Sequence, residues 1–416
     1  MTPPTPGPRA PRRRPRRLAS ASRRRPRRRL LAVLAAASFA VLPAVPAHAD
    51  SLRAQQWALE ALHTDQAWRT SQGDGVTVAV LDTGVDGGHP DLEGQVLPGH
   101  DLVGFGAVEG DPSWARHGTA MAGIIAGHGH GPDRSEGVLG IAPQARILPV
   151  RVILEGSDPA REKARTSKGG ALAEGIRWAA DHGADVINLS LGDDSKSAHP
   201  EAAEDAAVQY ALGKGAVVVA SAGNGGEKGD HISYPAAYPG VIAVAAVDRF
   251  GTHAAFSTRR WYATVSAPGV DIVIADPDRK YYEGWGTSAA AAFVSGAVAL
   301  VRSAHPGLTP AQIKKLLADT ARDAPANGRD DAKGYGFVDP AAAIEAGAKL
   351  SGTRTTSGAA GGYAKRYFGD GPTDPHEDPG PGVGLAPVAG GVGALLLAGA
   401  VVLWRGVGTG RPGARR

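Results

Sequence analysis

Residues 50–350 alternate short apolar runs with longer segments in which apolar residues recur every three or four positions. The short runs are apolar at nearly every position, which is typical of parallel strands covered by helices on both faces. These runs predict strands at 76–81, 147–153, 186–191, 216–220 and 241–247. The longer segments predict helices at 118–126, 171–182, 200–212, 288–303 and 309–321.

This alternation is typical of a doubly wound α/β domain. We therefore expect a mainly parallel sheet with helices on both of its faces. In such a sheet, functional side chains lie where strands end and helices begin. Those junctions are the places to look for chemistry.

The chain begins with a basic segment that precedes an apolar one. Residues 1–29 are rich in Arg and Pro, and a 13-residue apolar stretch follows from Leu30 to Leu42. Small residues at Ala47 and Ala49 complete the pattern of a secretory signal peptide cleaved after Ala49. A disordered basic tail is the alternative. The Arg23-Arg24 pair leaves open whether export follows the general or the twin-arginine route.

The other end of the chain carries a second long apolar segment. Residues 351–382 are rich in Gly, Ser, Thr, Pro and Asp and lack apolar periodicity, which predicts a flexible linker. Residues 383–404 contain no charged side chain and are long enough to cross a hydrocarbon core of about 30 Å. The tail at 405–416 has Arg residues and no acid, so the positive-inside rule predicts one transmembrane helix with a cytoplasmic tail. A buried helical hairpin is the alternative.

Charge is distributed unevenly along the chain. The net charge is +4, but the first 49 residues hold 12 Arg and no acid. Without them, 33 Lys and Arg face 41 Asp and Glu, so nucleic-acid binding is not expected. There is no cysteine, which excludes thiol catalysis, thiolate metal sites and disulfides.

Three polar residues stand at predicted junctions. Asp82 ends an apolar strand, His117 precedes small residues that open a helix, and Ser288 follows a glycine-rich turn at the start of another helix. Each alone has a simpler interpretation: a turn-closing Asp, a surface or capping His and an N-cap Ser. Together they supply a hydroxyl nucleophile, its base and a carboxylate that fixes the tautomer of that base. We therefore interpret them as a catalytic triad.

The order Asp, His, Ser along the chain resembles that of subtilisin and differs from the orders of chymotrypsin and the α/β-hydrolases. The surrounding segments also resemble the subtilase family of serine proteases. The segments that carry the resemblance are 82–85 (DTGV), 89–92 (HPDL), 117–119 (HGT), 186–192 (VINLSLG), 222–224 (AGN), 234–244 (YPAAYPGVIAV), 267–269 (APG) and 286–288 (GTS). The resemblance implies a subtilisin-like fold and hydrolysis of peptide bonds.

The resemblance implies further site residues. Asn224 would be the side-chain donor of an oxyanion hole, with the backbone N–H of Ser288 as its partner. A turn residue among glycines is the alternative for Asn224. The implied walls of the substrate cleft are Ser190, Leu191 and Gly192 on one side and Ser221, Ala222 and Gly223 on the other. The first wall would pair with an extended peptide, and the small side chains leave the P1 preference open.

The order of segments along the whole chain resembles that of mycosins, which are membrane-anchored subtilases associated with type VII secretion systems. Residues 55–68 are also similar to the mycosin N-terminal extension. After Ser288 the chain departs from the family, because Ala289, Ala292 and Phe293 stand where Met, Pro and His are usual. We expect the missing proline to make the helix more regular without removing a catalytic group. The lack of cysteine is a departure from many mycosins.

The predicted organisation follows from these segments. It consists of a signal peptide (1–49), a short N-terminal extension (50–75), a subtilase catalytic domain (76–350), a flexible linker (351–382), a transmembrane helix (383–404) and a basic cytoplasmic tail (405–416). The catalytic domain would face the extracytoplasmic side of the cell membrane and cleave extracytoplasmic or secreted proteins, with a type VII secretion complex as a further candidate partner.

Two other functions are considered. The first is a structural component that stabilises a membrane secretion complex and does not need proteolysis. The second, an esterase on another α/β fold, is excluded because no G-x-S-x-G elbow surrounds Ser288. No cofactor is expected. The acid pairs Asp193-Asp194 and Asp330-Asp331 leave a structural calcium site open, although surface loops account for them more simply.

Overall fold

The computed structural model describes residues 49–351. Its strands are β1 (Thr77–Asp82), β2 (His100–Asp101), β3 (His128–His130), β4 (Glu136–Leu139), β5 (Arg146–Arg151), β6 (Val186–Leu189), β7 (Val217–Ser221), β8 (Ile242–Val247), β9 (Ala263–Pro268), β10 (Ile272–Ala275) and β11 (Tyr281–Gly284). Its α-helices are α1 (Ala49–Gln55), α2 (Trp57–Ala61), α3 (Thr64–Ala67), α4 (Arg116–Ala126), α5 (Arg161–Ser167), α6 (Ala171–Asp181), α7 (Ala202–Gly213), α8 (Thr287–Ala304), α9 (Pro310–Asp319) and α10 (Pro340–Ser351).

A seven-stranded sheet lies at the centre, with the strand order β2-β5-β1-β6-β7-β8-β9. Every neighbouring pair in it is parallel. Two small antiparallel pairs, β3 with β4 and β10 with β11, lie outside this sheet. The predicted doubly wound, mainly parallel α/β fold is confirmed.

Side chains of the central strands are buried on both faces of the sheet. On β1, Val78 and Val80 belong to one core together with residues of α4 and α8. Ala79 and Leu81 belong to a second core together with residues of α6 and α7. Successive strand residues point to opposite faces, so a strand covered by helices on both sides must be apolar at successive positions.

The segment before the first strand is tied to the domain by side-chain hydrogen bonds. Arg53 donates to the carbonyl oxygens of Arg134, Glu136 and Gly137, which lie around the β3–β4 hairpin. The indole of Trp68 donates to the Ile141 carbonyl over 2.7 Å. Apolar side chains of this segment, Ala58, Leu62 and Ala67, are buried in the core. The predicted N-terminal extension therefore folds as part of the domain.

One helix in the described part of the chain is long and apolar enough to cross a membrane. It is α8, and 83% of its most apolar window is buried inside the protein, as befits the core helix of a globular domain. The predicted signal peptide, linker, transmembrane helix and basic tail lie outside the described residues. The exceptions are their edge residues Ala49 and Ser351, each of which belongs to a helix.

Candidate active site

Asp82 lies at the carboxyl end of β1 and is completely buried. Its Oδ1 accepts a hydrogen bond from the backbone N–H of Thr83 over 2.7 Å. Both carboxylate oxygens lie 2.9 Å from Nδ1 of His117. A buried carboxylate needs such partners, and these hold it against one edge of the imidazole.

His117 is the second residue of α4, whose first turn approaches the turn after β1 very closely. A Cβ on Gly118 would lie 1.9 Å from the carbonyl oxygen of Gly84, so only glycine permits this approach. The His117 side chain remains 36% exposed. The ring is therefore held at Nδ1 by Asp82 and remains open to the cleft elsewhere.

The environment of His117 favours its protonated form. Burial opposes the charge on the imidazolium and lowers its pKa. The charge of Asp82, its hydrogen bond and the charge of Glu155 outweigh this effect and raise the pKa of His117 above its usual 6.5. Asp82 thus stabilises the imidazolium that forms when the ring accepts a proton.

The first turn of α4 is held by residues from outside the helix. The backbone N–H of His117 donates to Glu155 Oε1 over 2.7 Å, and the N–H of Gly118 donates to Thr83 Oγ1 over 3.1 Å. Glu155 follows β5, which is a neighbour of β1 in the sheet. The His117 end of α4 is thereby fixed to the ends of two adjacent strands.

Ser288 lies in the first turn of α8, which packs against α4. Its hydroxyl donates to the carbonyl oxygen of Ser190 over 3.0 Å, and the Ser190 hydroxyl donates to the Ser288 carbonyl over 2.9 Å. Ser190 follows β6, the other neighbour of β1. In this structure the Ser288 hydroxyl therefore donates its hydrogen bond to the Ser190 carbonyl oxygen rather than to His117.

Asn224 lies after β7, close to the start of α8. Its Oδ1 accepts two hydrogen bonds from Thr287. The amide nitrogen Nδ2 is therefore available to donate to another group. The point where a Cβ on Gly286 would sit lies 3.7 Å from the Ser288 nitrogen and 3.8 Å from Asn224 Nδ2. The two predicted oxyanion donors therefore border the same small space.

The two predicted cleft walls follow neighbouring strands. Ser190, Leu191 and Gly192 come after β6, and Ser221, Ala222 and Gly223 come at and after the end of β7. The Ser221 hydroxyl donates to the Leu191 carbonyl over 3.4 Å, which joins the two walls. Gly192 is exposed, whereas Ala222 is fully buried.

No group of three His, Cys, Asp or Glu residues between residues 49 and 351 is arranged to hold a metal ion. The acid pairs are engaged within their loops or with nearby backbone. Asp194 accepts a hydrogen bond from the Asn224 N–H, and Asp330 accepts two from Ala332 and Lys333. Their carboxylates thus have a structural use in these loops.

Several residues of the site escape prediction from local sequence patterns. Glu155, Thr83 and Thr287 each contact a predicted site residue. Thr83 and Thr287 lie within the segments 82–85 and 286–288, but no local pattern gives them a role, and none marks Glu155. Glu155 is 38 residues from His117 along the chain. Only the parallel order β5-β1-β6 brings such distant residues together.

Comparison with known proteins identifies the family. The model of the Subtilase family matches residues 73–336, which is more than half of the chain. The chain belongs to the subtilase family of serine proteases. The fold and the resemblance found in the sequence agree with this assignment.

One similar member of the family is fervidolysin. Fervidolysin of Fervidobacterium pennivorans, a keratinolytic enzyme, is 40% identical over 324 residues, covering 72% of this chain and 45% of fervidolysin. Its crystal structure matches with a TM-score of 0.60 at 37% identity, over 70% of this chain and 45% of that one. The chain thus spans less than half the length of this relative.

Two mycosins are also structurally similar. MycP1 of Mycobacterium smegmatis matches with a TM-score of 0.59 at 33% identity, covering 69% of this chain and 84% of that one. MycP3, a protease from the type VII (ESX-3) secretion system, matches with a TM-score of 0.57 at 34% identity, covering 69% and 87%. The resemblance to mycosins is therefore confirmed.

Proposed function

We propose that this protein is a serine endopeptidase that cleaves peptide bonds of extracytoplasmic or secreted proteins with Asp82, His117 and Ser288. The observation that carries the proposal is the pairing of Asp82 and His117 over 2.9 Å. In a general base of this kind, a buried carboxylate holds one imidazole nitrogen while the rest of the ring stays accessible.

Nucleophilic attack begins when the Ser288 hydroxyl turns from the Ser190 carbonyl toward Nε2 of His117. Asp82 holds the proton on Nδ1, so Nε2 carries the lone pair that accepts the Ser288 proton. The Ser288 oxygen then attacks the substrate carbonyl carbon. The imidazolium returns the proton to the leaving amine, and a water repeats the sequence on the acyl-enzyme.

The oxyanion that forms during attack needs donors that are in place before the charge develops. The Ser288 N–H and Asn224 Nδ2 both border the space in front of Gly286. Thr287 fixes the orientation of the Asn224 amide, so little reorganisation is needed during the reaction. One such donor is worth about 3 kcal/mol of barrier.

Substrate binding is proposed to use the backbone of the two cleft walls. An extended peptide would add as a strand along Ser190, Leu191 and Gly192, with its P1 side chain between that wall and Ser221, Ala222 and Gly223. Main-chain hydrogen bonds of this kind bind peptides of many sequences. This mode suits a protein substrate presented as an extended segment.

The test compares the full chain with its Ser288→Ala variant. The wild type should cleave an unfolded protein substrate and react with a serine-directed phosphonate, while Ser288→Ala should lose about 10⁶-fold in kcat and all labelling. Ser195→Ala, a change at an exposed hydroxyl, is the control and should behave as wild type. The proposal would be refuted by a folded wild-type protein that neither cleaves the protein substrate nor reacts with the phosphonate.

The cellular setting is part of the same proposal. The signal peptide at 1–49 would direct export, and the transmembrane helix at 383–404 would anchor the chain in the cell membrane with residues 76–350 outside. Membrane fractionation of cells expressing the full chain, followed by external protease treatment, tests this. Recovery in the soluble fraction, or protection of the domain from external protease, would contradict it.

A structural role in a secretion assembly is the second candidate, favoured by the similarity to MycP3 from a type VII system. Complementation distinguishes it from the first. Secretion restored by Ser288→Ala as well as by wild type would assign the essential role to structure, and secretion restored by wild type alone would assign it to proteolysis.

A further inference from the structure

Helix α4, which carries His117, begins without a cap of its own. The residue before the helix, Ala115, is in the left-handed conformation with φ of 54° and offers no side-chain hydrogen bond. The first N–H groups of a helix have no partner within it and need one elsewhere. Here Glu155 and Thr83 supply the acceptors for the N–H groups of His117 and Gly118.

Glu155 reaches both halves of the Asp82–His117 pair. Its Oε1 accepts the His117 N–H over 2.7 Å and the Thr83 hydroxyl over 2.7 Å. Thr83 in turn donates its backbone N–H to Asp82 Oδ1 over 2.7 Å. One oxygen of Glu155 therefore ties the start of α4 to the turn that orients the Asp82 carboxylate.

We propose that Glu155 is a positioning residue for the proposed catalytic pair and fixes the His117 backbone relative to Asp82. The inference rests on the proposed function. Glu155 acts through the backbone of His117 and through Thr83. Its carboxylate also lies at the positive end of α4, where a negative charge is favourable.

The charges that face His117 come from three elements besides its own. Asp82 at the end of β1 and Glu155 after β5 favour the imidazolium, whereas Arg161 at the start of α5 opposes it. On α4 itself, Arg116 is paired with Asp276 over 2.7 Å. Removing the Glu155 charge therefore shifts this balance toward neutral His117 and lowers its pKa.

Two substitutions in the full chain separate charge from geometry. Glu155→Gln keeps an oxygen acceptor and loses the charge, so the acidic limb of the kcat/KM profile should move to lower pH with plateau turnover close to wild type. Glu155→Ala loses both, so plateau kcat should also fall by about 10–100-fold with little change in KM. Glu162→Gln removes an exposed charge on α5 and should leave the limb unmoved.

The measurements are pH profiles of kcat/KM, with thermal unfolding to confirm folding at each pH. A purely structural Glu155 would alter unfolding without moving the limb. The inference is overturned if the limb coincides with wild type in Glu155→Gln, or if Glu155→Ala keeps wild-type turnover. These results require an active wild type that loses labelling with Ser288→Ala, so they are distinct from failure of the proposed function.

Discussion

The side-chain oxygen of Asn224 accepts both the backbone N–H of Thr287, over 3.0 Å, and the Thr287 hydroxyl, over 2.9 Å. Thr287 is fully buried and immediately precedes Ser288. The start of α8 therefore determines which way the Asn224 amide faces. Its NH₂ nitrogen lies 3.8 Å, and the Ser288 nitrogen 3.7 Å, from the point where a Cβ on Gly286 would sit.

Replacing the amide nitrogen of Asn224 by oxygen tests this arrangement. Asn224→Asp keeps the shape of the side chain and an acceptor for Thr287, but it removes the donor and adds a charge that repels an oxyanion. We expect kcat to fall by at least about 10²-fold with KM little changed. Asn327→Asp, at an exposed loop, is the control for added charge. Equal losses in kcat for both variants would contradict the oxyanion role.

A methyl group at Gly286 should obstruct the same space. Gly286 has φ of +144°, and its Cβ would lie in van der Waals contact with Ser288 N, at 3.7 Å, and Asn224 Nδ2, at 3.8 Å. Gly286→Ala should therefore lower both thermal stability and turnover. Gly251→Ala, at φ of +72° with open surroundings, carries strain without obstruction and should lower stability alone. Stability and turnover are measured for both variants.

The raised pKa of His117 makes a pH prediction. The base must be neutral, so kcat/KM should rise with pH along a limb whose midpoint lies above the usual 6.5. Because the folded-state pKa is the higher one, protonated His117 stabilises the fold below pH 6.5, and this contribution disappears as pH rises through the raised pKa.

Asp82→Asn removes the main charge that raises the pKa of His117. The limb should move to lower pH, and kcat should fall by about 10⁴-fold because the wrong tautomer is favoured. Titration of the His117 imidazole by NMR in both proteins provides the direct measurement. A limb unchanged by Asp82→Asn would show that another group controls the profile.

Lys314 of α9 lines a cleft of about 290 Å³ beside Tyr238, Trp261 and Tyr335. Burial lowers the pKa of Lys314 to about 8, and its Nζ donates to the Val241 carbonyl over 2.6 Å. The unfolded chain keeps this proton up to its ordinary pKa of 10.5, so Lys314 makes stability rise with pH between about 8 and 10.5.

Lys314→Met should therefore stabilise the protein at pH 7 by about 2 kcal/mol, after allowing for the lost hydrogen bond. The gain should disappear as pH rises toward 10.5, where Lys314 is neutral in the folded protein and half protonated in the unfolded chain. Denaturant unfolding at both pH values measures it. The neighbouring Lys315→Met, which removes an exposed ion pair to Asp319, should give almost no gain.

The sequence predicted the central strands because their burial on both faces requires a continuous apolar run. The predicted strands at 76–81, 186–191, 216–220 and 241–247 correspond to β1, β6, β7 and β8 within a residue or two. Strand β9 was not predicted. Its run ATVSAP contains Thr264 and Ser266, whose hydroxyls are satisfied by backbone contacts that no local pattern reveals.

The candidate site was predictable only in part. Asp82, His117 and Ser288 stand where the chain order and the surrounding motifs indicate them. Taken alone, Asn224 is better interpreted as a turn residue, and only the family resemblance implies the oxyanion role. Its contacts with Thr287 arise from packing of α8 against β7. Glu155 lies in a loop whose position relative to α4 depends on the order of β5 and β1 in the sheet.

The hydrogen bonds made by Arg53 and Trp68 bear on how much of the N-terminal segment the folded domain can lose. Removal of the leader after Ala49 would leave every one of these anchors intact. Trimming the chain as far as Gly73 would instead strip Leu62 and Ala67 from the core and deprive the β3–β4 hairpin of the Arg53 guanidinium. The stretch between these two positions therefore contributes buried side chains to the core and holds the β3–β4 hairpin.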